Sequence, residues 1–199
     1  MDGGAHEGET IAILQQLFRS PTIHAFEPNP EKFAHLTSEY GTDGDVHLYN
    51  CALGDENGVA QFNVTRASYA SSILEPTAAY SALDSDNTVE RTVQVDVRPL
   101  DCVITDEVDV IKLDLQGYEY FALQGAAESL DRANVVISET MFNRNYENQP
   151  VFDELDELLS QNNFKLYDFY TLKHWPDGQI RHADVLYVSE DVFEKTVRS

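Results

Sequence analysis

The chain has 199 residues, 42% of them hydrophobic, so it is long enough for one domain with a buried core and too apolar for wholesale disorder. Its 35 acidic and 13 basic side chains give a formal net charge of −22, which argues against nucleic-acid binding and against insertion into anionic membranes. The two cysteines, Cys51 and Cys102, lie far apart in the sequence and indicate neither a disulfide framework nor a zinc site.

The acidic residues are spread from Asp2 to Glu194, which favours a hydrated surface adapted to a salt-rich cytosol over an acidic interaction tail. No segment approaches the ~20 apolar residues of a membrane span, and the N-terminus lacks the basic and hydrophobic regions of a signal peptide. We therefore expect a halophilic, cytoplasmic protein.

The first residues form a glycine-rich segment, 2–8, which precedes an amphipathic helix. Glycines before a helix let the backbone approach a ligand closely, and Asp2 suits a cationic or amine-bearing ligand better than a pyrophosphate. The spacing of Gly4 and Gly8 lacks the G-x-G-x-x-G order of a dinucleotide site and the lysine of a P-loop. A nicotinamide-dependent oxidoreductase is therefore disfavoured.

The next predicted strand, 22–26, is apolar and ends in Glu27. In α/β folds an acid at such a strand end, about twenty residues after a glycine loop, binds the ribose hydroxyls of a nucleoside. An exposed glutamate before a turn is the alternative interpretation. Strands are also predicted over 46–53, 59–64 and 92–97, and the Ser- and Ala-rich residues 68–86 are expected to form a mobile loop.

A further apolar run, 108–115, predicts a buried parallel strand that carries Lys112 and Asp114 at its end. Residues two apart in a strand point the same way, so these side chains share a face at the sheet edge where α/β proteins bind ligands. The alternative is an ordinary strand-to-helix turn with a solvated ion pair. The following core strand, 134–138, delivers Glu139 to a neighbouring position.

The C-terminal part of the chain contains a predicted helix and a closing antiparallel pair of strands over 164–170 and 183–188. Strands that alternate with helices predict an α/β sheet. Because no linker, repeat or low-complexity tract interrupts the pattern, we expect residues 1–199 to form a single domain.

A series of short motifs occurs in order at regular intervals along this pattern. They are Asp2-x-Gly4-Ala5-His6-x-Gly8-Glu9, Phe26-Glu27-Pro28-Asn29-Pro30, Ala52-Leu53-Gly54-Asp55-x-x-Gly58, Ser71-Ser72, Leu100-Asp101, Lys112-x-Asp114-x-Gln116-Gly117-x-Glu119 and Ser138-Glu139. Together they resemble the FkbM-type S-adenosylmethionine-dependent methyltransferases over nearly the whole chain. The resemblance implies a class I methyltransferase (Rossmann-like) fold, with a mostly parallel sheet and an antiparallel hairpin at one edge.

The resemblance also implies roles for individual residues. The methionine part of S-adenosylmethionine is expected at Asp2, Gly4, Ala5 and Gly8, the ribose diol at Glu27, and the adenine ring at Ala52 with Cys51 beside it. The acceptors of the family are hydroxyl groups on sugars or other small molecules and glycans, so that the product is a methyl ether.

Methyl transfer to a hydroxyl is helped by a general base. We place Asp114 first as the base and Glu139 second, with Lys112 orienting Asp114 or lowering the pKa of the acceptor hydroxyl. Each acid could instead be a structural hydrogen-bond acceptor at a strand end. No set of metal ligands is expected.

One departure from the family pattern concerns the N-terminus. Family members carry an apolar strand immediately before the Asp-x-Gly motif, whereas here only Met1 precedes Asp2. We therefore expect the first central strand to be missing and the domain to be N-terminally truncated. The rival hypothesis to an O-methyltransferase is a catalytically silent domain that keeps the fold and binds or assembles with partners.

Overall fold

The computed structural model describes residues 1–197 and contains two β-sheets with helices packed against them. The strands are β1 (Asp2–Gly3), β2 (Ile23–Phe26), β3 (Val46–Tyr49), β4 (Ala52–Leu53), β5 (Gly58–Thr65), β6 (Val89–Arg98), β7 (Val110–Leu113), β8 (Val135–Met141), β9 (Phe164–His174) and β10 (Ile180–Ser189). The α-helices are α1 (Glu9–Leu17), α2 (Pro30–Tyr40), α3 (Ala78–Leu83), α4 (Leu100–Val103), α5 (Glu119–Gln124), α6 (Ala127–Leu130), α7 (Phe152–Gln161) and α8 (Glu190–Val197). Two short 3-10 helices span Ser68–Ala70 and Ser85–Asn87.

The main sheet has seven strands in the order β3-β2-β1-β7-β8-β10-β9. The first five are parallel to their neighbours, whereas β10 runs antiparallel to β8 and β9 runs antiparallel to β10. Parallel strands need crossover connections, and helices supply several of these here. The predicted class I arrangement, a mostly parallel sheet with an antiparallel edge hairpin, is confirmed.

The central position of the sheet is occupied by β1, which is only two residues long. Asp2 lies opposite Ala25 of β2 and Lys112 of β7, and Gly3 lies one step further along the same ladders. The position that the sequence predicted to be empty therefore holds the Asp-x-Gly motif itself. This short strand brings the start of the glycine loop between the ends of β2 and β7.

The second sheet has the order β4-β6-β5 and contains the strands that were predicted over 59–64 and 92–97. The single strand expected over 46–53 is divided, because β3 stays in the main sheet while β4 pairs with β6. The chain thus changes sheets between Tyr49 and Ala52.

Residues 68–86 were expected to form a mobile loop, whereas the structure shows helical elements in this segment. The segment contains α3 and parts of both 3-10 helices, and Thr77 caps α3 by accepting a hydrogen bond from the backbone of Tyr80. Tyr80 is buried, and its ring lies 5.3 Å from that of Tyr146. Burial of an aromatic side chain stabilises the segment, a tertiary effect that its polar composition does not reveal.

The largest core cluster lies between the main sheet and helices α4–α7 and includes Phe26, Ile111, Leu123, Val136 and Tyr187. A second cluster packs α1 and α2 on the opposite side of β2, through Ile11, Ile23 and Leu36 among others. Within residues 1–197 no helix has both the length and the apolar character needed to cross a bilayer.

Candidate active site

A cavity of about 690 Å³ opens at the carboxyl ends of the parallel strands. Of the residues that the sequence singled out, the following line it: Gly4, Ala5, Glu27, Cys51, Ala52, Lys112 and Asp114. Asp2, Gly8 and Glu139 are not among the lining residues, but each is joined to one of them. Asp2 lies opposite Lys112, the backbone nitrogen of Gly8 donates to the carbonyl of Ala5, and Gln116 links Glu139 to Asp114. The volume is typical of a small-molecule site.

The glycine loop packs tightly on the end of β7. Gly4 has a φ of +77°, and a Cβ atom there would lie 2.0 Å from the backbone oxygen of Asp114. Both the positive φ and the close approach require glycine. The backbone nitrogens of Gly4 and Ala5 donate to the carbonyl of Phe26, each at 3.0 Å, which joins the loop to the end of β2.

Glu27 is buried at the end of β2, where two backbone N–H groups bind its carboxylate. The nitrogen of His6 lies 2.8 Å from Oε2 and that of Asn29 lies 2.7 Å from Oε1. Burial nevertheless raises the pKa of Glu27 to about 7, against the two backbone hydrogen bonds, which favour the charged form. The carboxyl group is therefore held rigidly at the cavity wall.

Cys51 and Ala52 form the opposite part of the wall, where the chain passes from the main sheet into β4. Both are buried, and burial raises the pKa of the Cys51 thiol to about 11. A thiol with such a pKa stays protonated at neutral pH and behaves as a small apolar side chain. This part of the cavity thus presents an apolar surface that suits a flat ring.

Lys112 does not pair with Asp114, as the sequence suggested it could. Its Nζ lies 3.1 Å from Oδ1 of Asp2, the residue directly opposite on β1. Burial alone would lower the pKa of Lys112, but the carboxylates of Asp2, Asp114 and Glu139 together raise it. The lysine therefore remains charged and connects the glycine loop to the acidic side of the cavity.

Asp114 and Glu139 lie at the ends of neighbouring strands, and the amide of Gln116 joins them. Nε2 of Gln116 lies 2.8 Å from Oδ1 of Asp114 and 2.6 Å from Oε2 of Glu139. Gln116 has a φ of +53°, an unusual backbone conformation for a residue other than glycine. Such conformations persist where surrounding contacts hold them and are common in active sites.

Three carboxyl groups meet here, since oxygens of Asp114, Glu119 and Glu139 lie within 4.8 Å of one another. Glu119 accepts from the backbone nitrogens of Leu115, at 2.6 Å, and Gly117, at 3.2 Å. Burial raises the pKa of Glu119 to about 7. Burial, followed by the charges of Asp114 and Glu119, holds the pKa of Glu139 well above its usual range. Glu139 therefore holds its proton to a higher pH than an exposed glutamate does.

Sequence reasoning missed several residues that surround this acidic group. Tyr146 is fully buried, and its hydroxyl lies 3.0 Å from the carbonyl of Ala70 and 3.1 Å from Oε1 of Gln116. Nε2 of His182 lies 3.9 Å from Oε1 of Glu139. Tyr146 lies in an irregular loop and His182 in the antiparallel strand β10, so no local motif marks either one.

Comparisons with known proteins agree with this architecture. A family model described as "Methyltransferase FkbM domain" matches residues 2–166. The 2-O-methyltransferase NoeI of Sinorhizobium fredii is 24% identical over 163 residues, which are 75% of this chain and 65% of that protein. The chain therefore spans just under two thirds of the length of this relative.

Two solved structures share the fold. The methyltransferase FkbM of Methylobacillus flagellatus is 18% identical with a TM-score of 0.53, and the match covers 94% of this chain and 42% of that one. An rRNA methylase of Streptococcus thermophilus is 10% identical with a TM-score of 0.51, and the match covers 94% of this chain and 85% of that one. At such identities the likeness shows the fold alone.

Proposed function

Because this chain belongs to the FkbM methyltransferase family, as its motifs predicted, we propose that it is a class I O-methyltransferase. It transfers the methyl group of S-adenosylmethionine to a hydroxyl oxygen of a sugar or of another small-molecule or glycan acceptor. The name of the relative NoeI, a 2-O-methyltransferase, supports a hydroxyl as the acceptor.

The observation that carries this proposal is that Gly4, Glu27 and Asp114 line the same cavity. They come from three different places in the sequence, and only the convergence of β1, β2 and β7 brings them together. A cavity with acidic side chains and close backbone suits a ligand that carries a sulfonium and an ammonium group. The residues present therefore fit the proposed cofactor.

Each part of the cavity has a role in holding the cofactor. Glu27 is placed to accept hydrogen bonds from the two ribose hydroxyls, and Cys51 with Ala52 to pack against adenine. The glycine loop, fixed by Asp2 behind it, is placed to bind the methionine part. S-adenosylmethionine supplies, when bound, an electrophilic methyl group on its sulfonium.

Asp114 is assigned as the base that takes the proton of the acceptor hydroxyl while the oxygen attacks the methyl carbon. The C–O bond forms as the C–S bond breaks, and the proton passes to the carboxylate. Most of the rate enhancement comes from holding the oxygen in line with the methyl group. Glu139 and Gln116 fix Asp114 in position, and Lys112 balances the negative charge nearby.

The proposal is tested by measuring cofactor binding and methyl transfer separately. Glu27→Gln should weaken the binding of S-adenosylmethionine by about tenfold or more in calorimetry, because the bonds to the ribose diol are lost. Glu31→Gln, on the exposed first turn of α2, is the matched control and should bind normally. Asp114→Asn should bind the cofactor but transfer tritiated methyl groups slowly to a panel of sugars and glycans.

Two results would decide against the assignment. If the unmodified chain does not bind S-adenosylmethionine, the methyltransferase proposal fails. If it binds the cofactor and no hydroxyl acceptor is methylated, the catalytically silent alternative is favoured.

A further inference from the structure

Cations are scarce in this chain, and half a dozen of them lie within 4.0 Å of a carboxylate. These are Lys32, Arg66, Arg91, Arg98, Lys112 and Lys165. Among residues 1–197, Lys173 and Arg181 have no carboxylate at that distance, and neither have Arg19, Arg132 and Arg144, although acidic side chains outnumber basic ones by 35 to 13. Two of these cations, Lys173 and Arg181, lie on the same β-hairpin.

Lys173 and Arg181 lie near the tip of the β9–β10 hairpin, beside the acidic group. His182 of β10 is paired with both Met141, at the end of β8, and Lys173 of β9. In an antiparallel pair, residues that lie opposite one another project to the same face. Lys173 is therefore next to His182, and Arg181 reaches the same ring through a hydrogen bond from its Nε to Nδ1 of His182. The ring of His182 approaches Glu139 at 3.9 Å.

His182 does not itself supply a positive charge. Burial, followed by the charge of Arg181, lowers its pKa to about 4, so the ring is neutral at pH 7. Nε of Arg181 lies 3.3 Å from Nδ1 of His182 and is the donor, since the guanidinium has no acceptor. That bond leaves the Nε2 hydrogen of His182 directed towards Glu139.

The remaining donors of Arg181 are free to bind a ligand. Its Cζ lies 5.5 Å from the ring centre of Trp175, which supports the guanidinium from one side, while Nε is used by His182. Within the described part of the chain, no acceptor binds its two Nη groups. A guanidinium held by its Nε and its face presents its outer edge for bidentate binding of an oxyanion.

We propose that Arg181 and Lys173 form an anion-binding subsite for the methyl acceptor, which carries a carboxylate, sulfate or phosphate group near the hydroxyl to be methylated. This inference rests on the proposed function and names the acceptor class for the same site. The net charge of −22 repels anions at long range. Unpaired cations beside the acidic group offset that repulsion locally, whereas a neutral acceptor would not need them.

The experiment compares methyl glucoside with its counterparts that carry a 6-carboxylate, a 6-sulfate or a 6-phosphate, in buffers of equal ionic strength. Trp175 is the only tryptophan of the chain, so a change in intrinsic fluorescence locates binding at this hairpin. Calorimetry gives the affinities. We expect saturable binding of at least one anionic sugar, and at least tenfold weaker binding of the neutral glucoside.

Variants separate a specific subsite from a general charge effect. Arg181→Gln and Lys173→Gln should each weaken binding of the anionic sugar about tenfold or more in calorimetry. Lys165→Gln removes the same charge from the other end of β9 and should leave that affinity unchanged. Equal binding of neutral and anionic sugars, no saturable binding of any anionic sugar, or equal weakening by all three variants would overturn the proposal.

Titration of the same samples with S-adenosylmethionine distinguishes the two proposals. Loss of anion binding in Arg181→Gln with normal cofactor affinity supports the subsite. Anion binding by a protein that does not bind the cofactor would leave the subsite standing and remove the methyltransferase function.

Discussion

Lys112 Nζ lies 3.1 Å from Oδ1 of Asp2, across the ladder between β7 and β1. Asp2 has no exposed surface, and neither of its carboxylate oxygens has an aligned hydrogen-bond donor within the described chain. Burial raises the pKa of Asp2, and the charge of Lys112 opposes that effect. This ion pair therefore compensates a carboxylate at the centre of the sheet, directly behind the glycine loop.

Lys112→Met should destabilise the protein by about 3–5 kcal/mol, because it leaves the Asp2 carboxyl group buried without a partner. Urea denaturation measures the loss. Lys165→Met breaks an ion pair whose side chains are 47% and 50% exposed, and it should cost less than about 1 kcal/mol. Equal losses in the two variants would show that the central pair contributes no more than a surface one.

Gly4→Ala should destabilise the protein by about 2–5 kcal/mol, the sum of a left-handed backbone cost and an overpacking cost. The added Cβ would lie 2.0 Å from the oxygen of Asp114, which is backbone and cannot move aside. Gly178→Ala is the control: its φ is +90°, but nothing lies within 4 Å of the added atom. Thermal unfolding of that variant should show only the backbone cost of about 1–2 kcal/mol.

Cofactor binding should depend on the protonation of Glu27, whose pKa burial raises to about 7. The charged carboxylate is the better acceptor for ribose hydroxyls, so affinity for S-adenosylmethionine should rise between pH 6 and pH 8. The contribution of Glu27 to the free energy of unfolding should instead fall as the pH rises, because the folded protein holds this proton more tightly than the unfolded chain does. The contribution of Glu27 to stability is complete below its unfolded value of 4.5 and is lost as the pH rises through about 7.

Glu27→Gln tests this prediction, since the amide does not titrate. Calorimetric titrations from pH 5.5 to pH 8.5 should show a nearly constant, weak affinity in the variant and a rising affinity in the unmodified protein. A parallel rise in both proteins would assign the pH dependence to another group.

Gln116→Leu should raise the pKa of Glu139 further, because the amide donor that favours its charged form is removed. Carbon-13 NMR of the carboxyl groups follows this titration directly. Tyr146→Phe removes only the hydroxyl that holds the amide oxygen of Gln116, and it should cause a smaller shift in the same direction. Tyr120→Phe, which lies outside this group, should leave the titration unchanged. An unaltered Glu139 in Gln116→Leu would contradict the positioning role of the amide.

Much of the fold could be predicted from local patterns. The apolar runs before Glu27, Asp114 and Glu139 identify β2, β7 and β8, because a strand buried on both faces is recognisable from its own residues. The rule that parallel strands meet a ligand at their carboxyl ends then places all three acids at one edge. The glycine loop that contains Gly4 was likewise predicted from its own residues. All of these predictions needed only short-range sequence information.

The features that the sequence did not predict depend on contacts between distant segments. Residues 68–86 are polar and weakly periodic, yet Tyr80 is buried against Tyr146 and orders the segment. Lys112 was predicted to orient Asp114 or to lower the pKa of the acceptor hydroxyl, and no ion pair with Asp114 was excluded, since Lys112 and Asp114 project from one strand end. Its partner is Asp2, because β1 lies beside β7.

The sequence by itself determined the family, the class I fold and the strand ends that carry the acids, because each depends on motifs and periodicities within a few residues. Only the tertiary structure decided how those acids are held and what surrounds them. Gln116 joins Asp114 to Glu139, and the antiparallel β10 places His182 and Arg181 beside them. Packing of distant segments sets these distances, and no local pattern of residues encodes them.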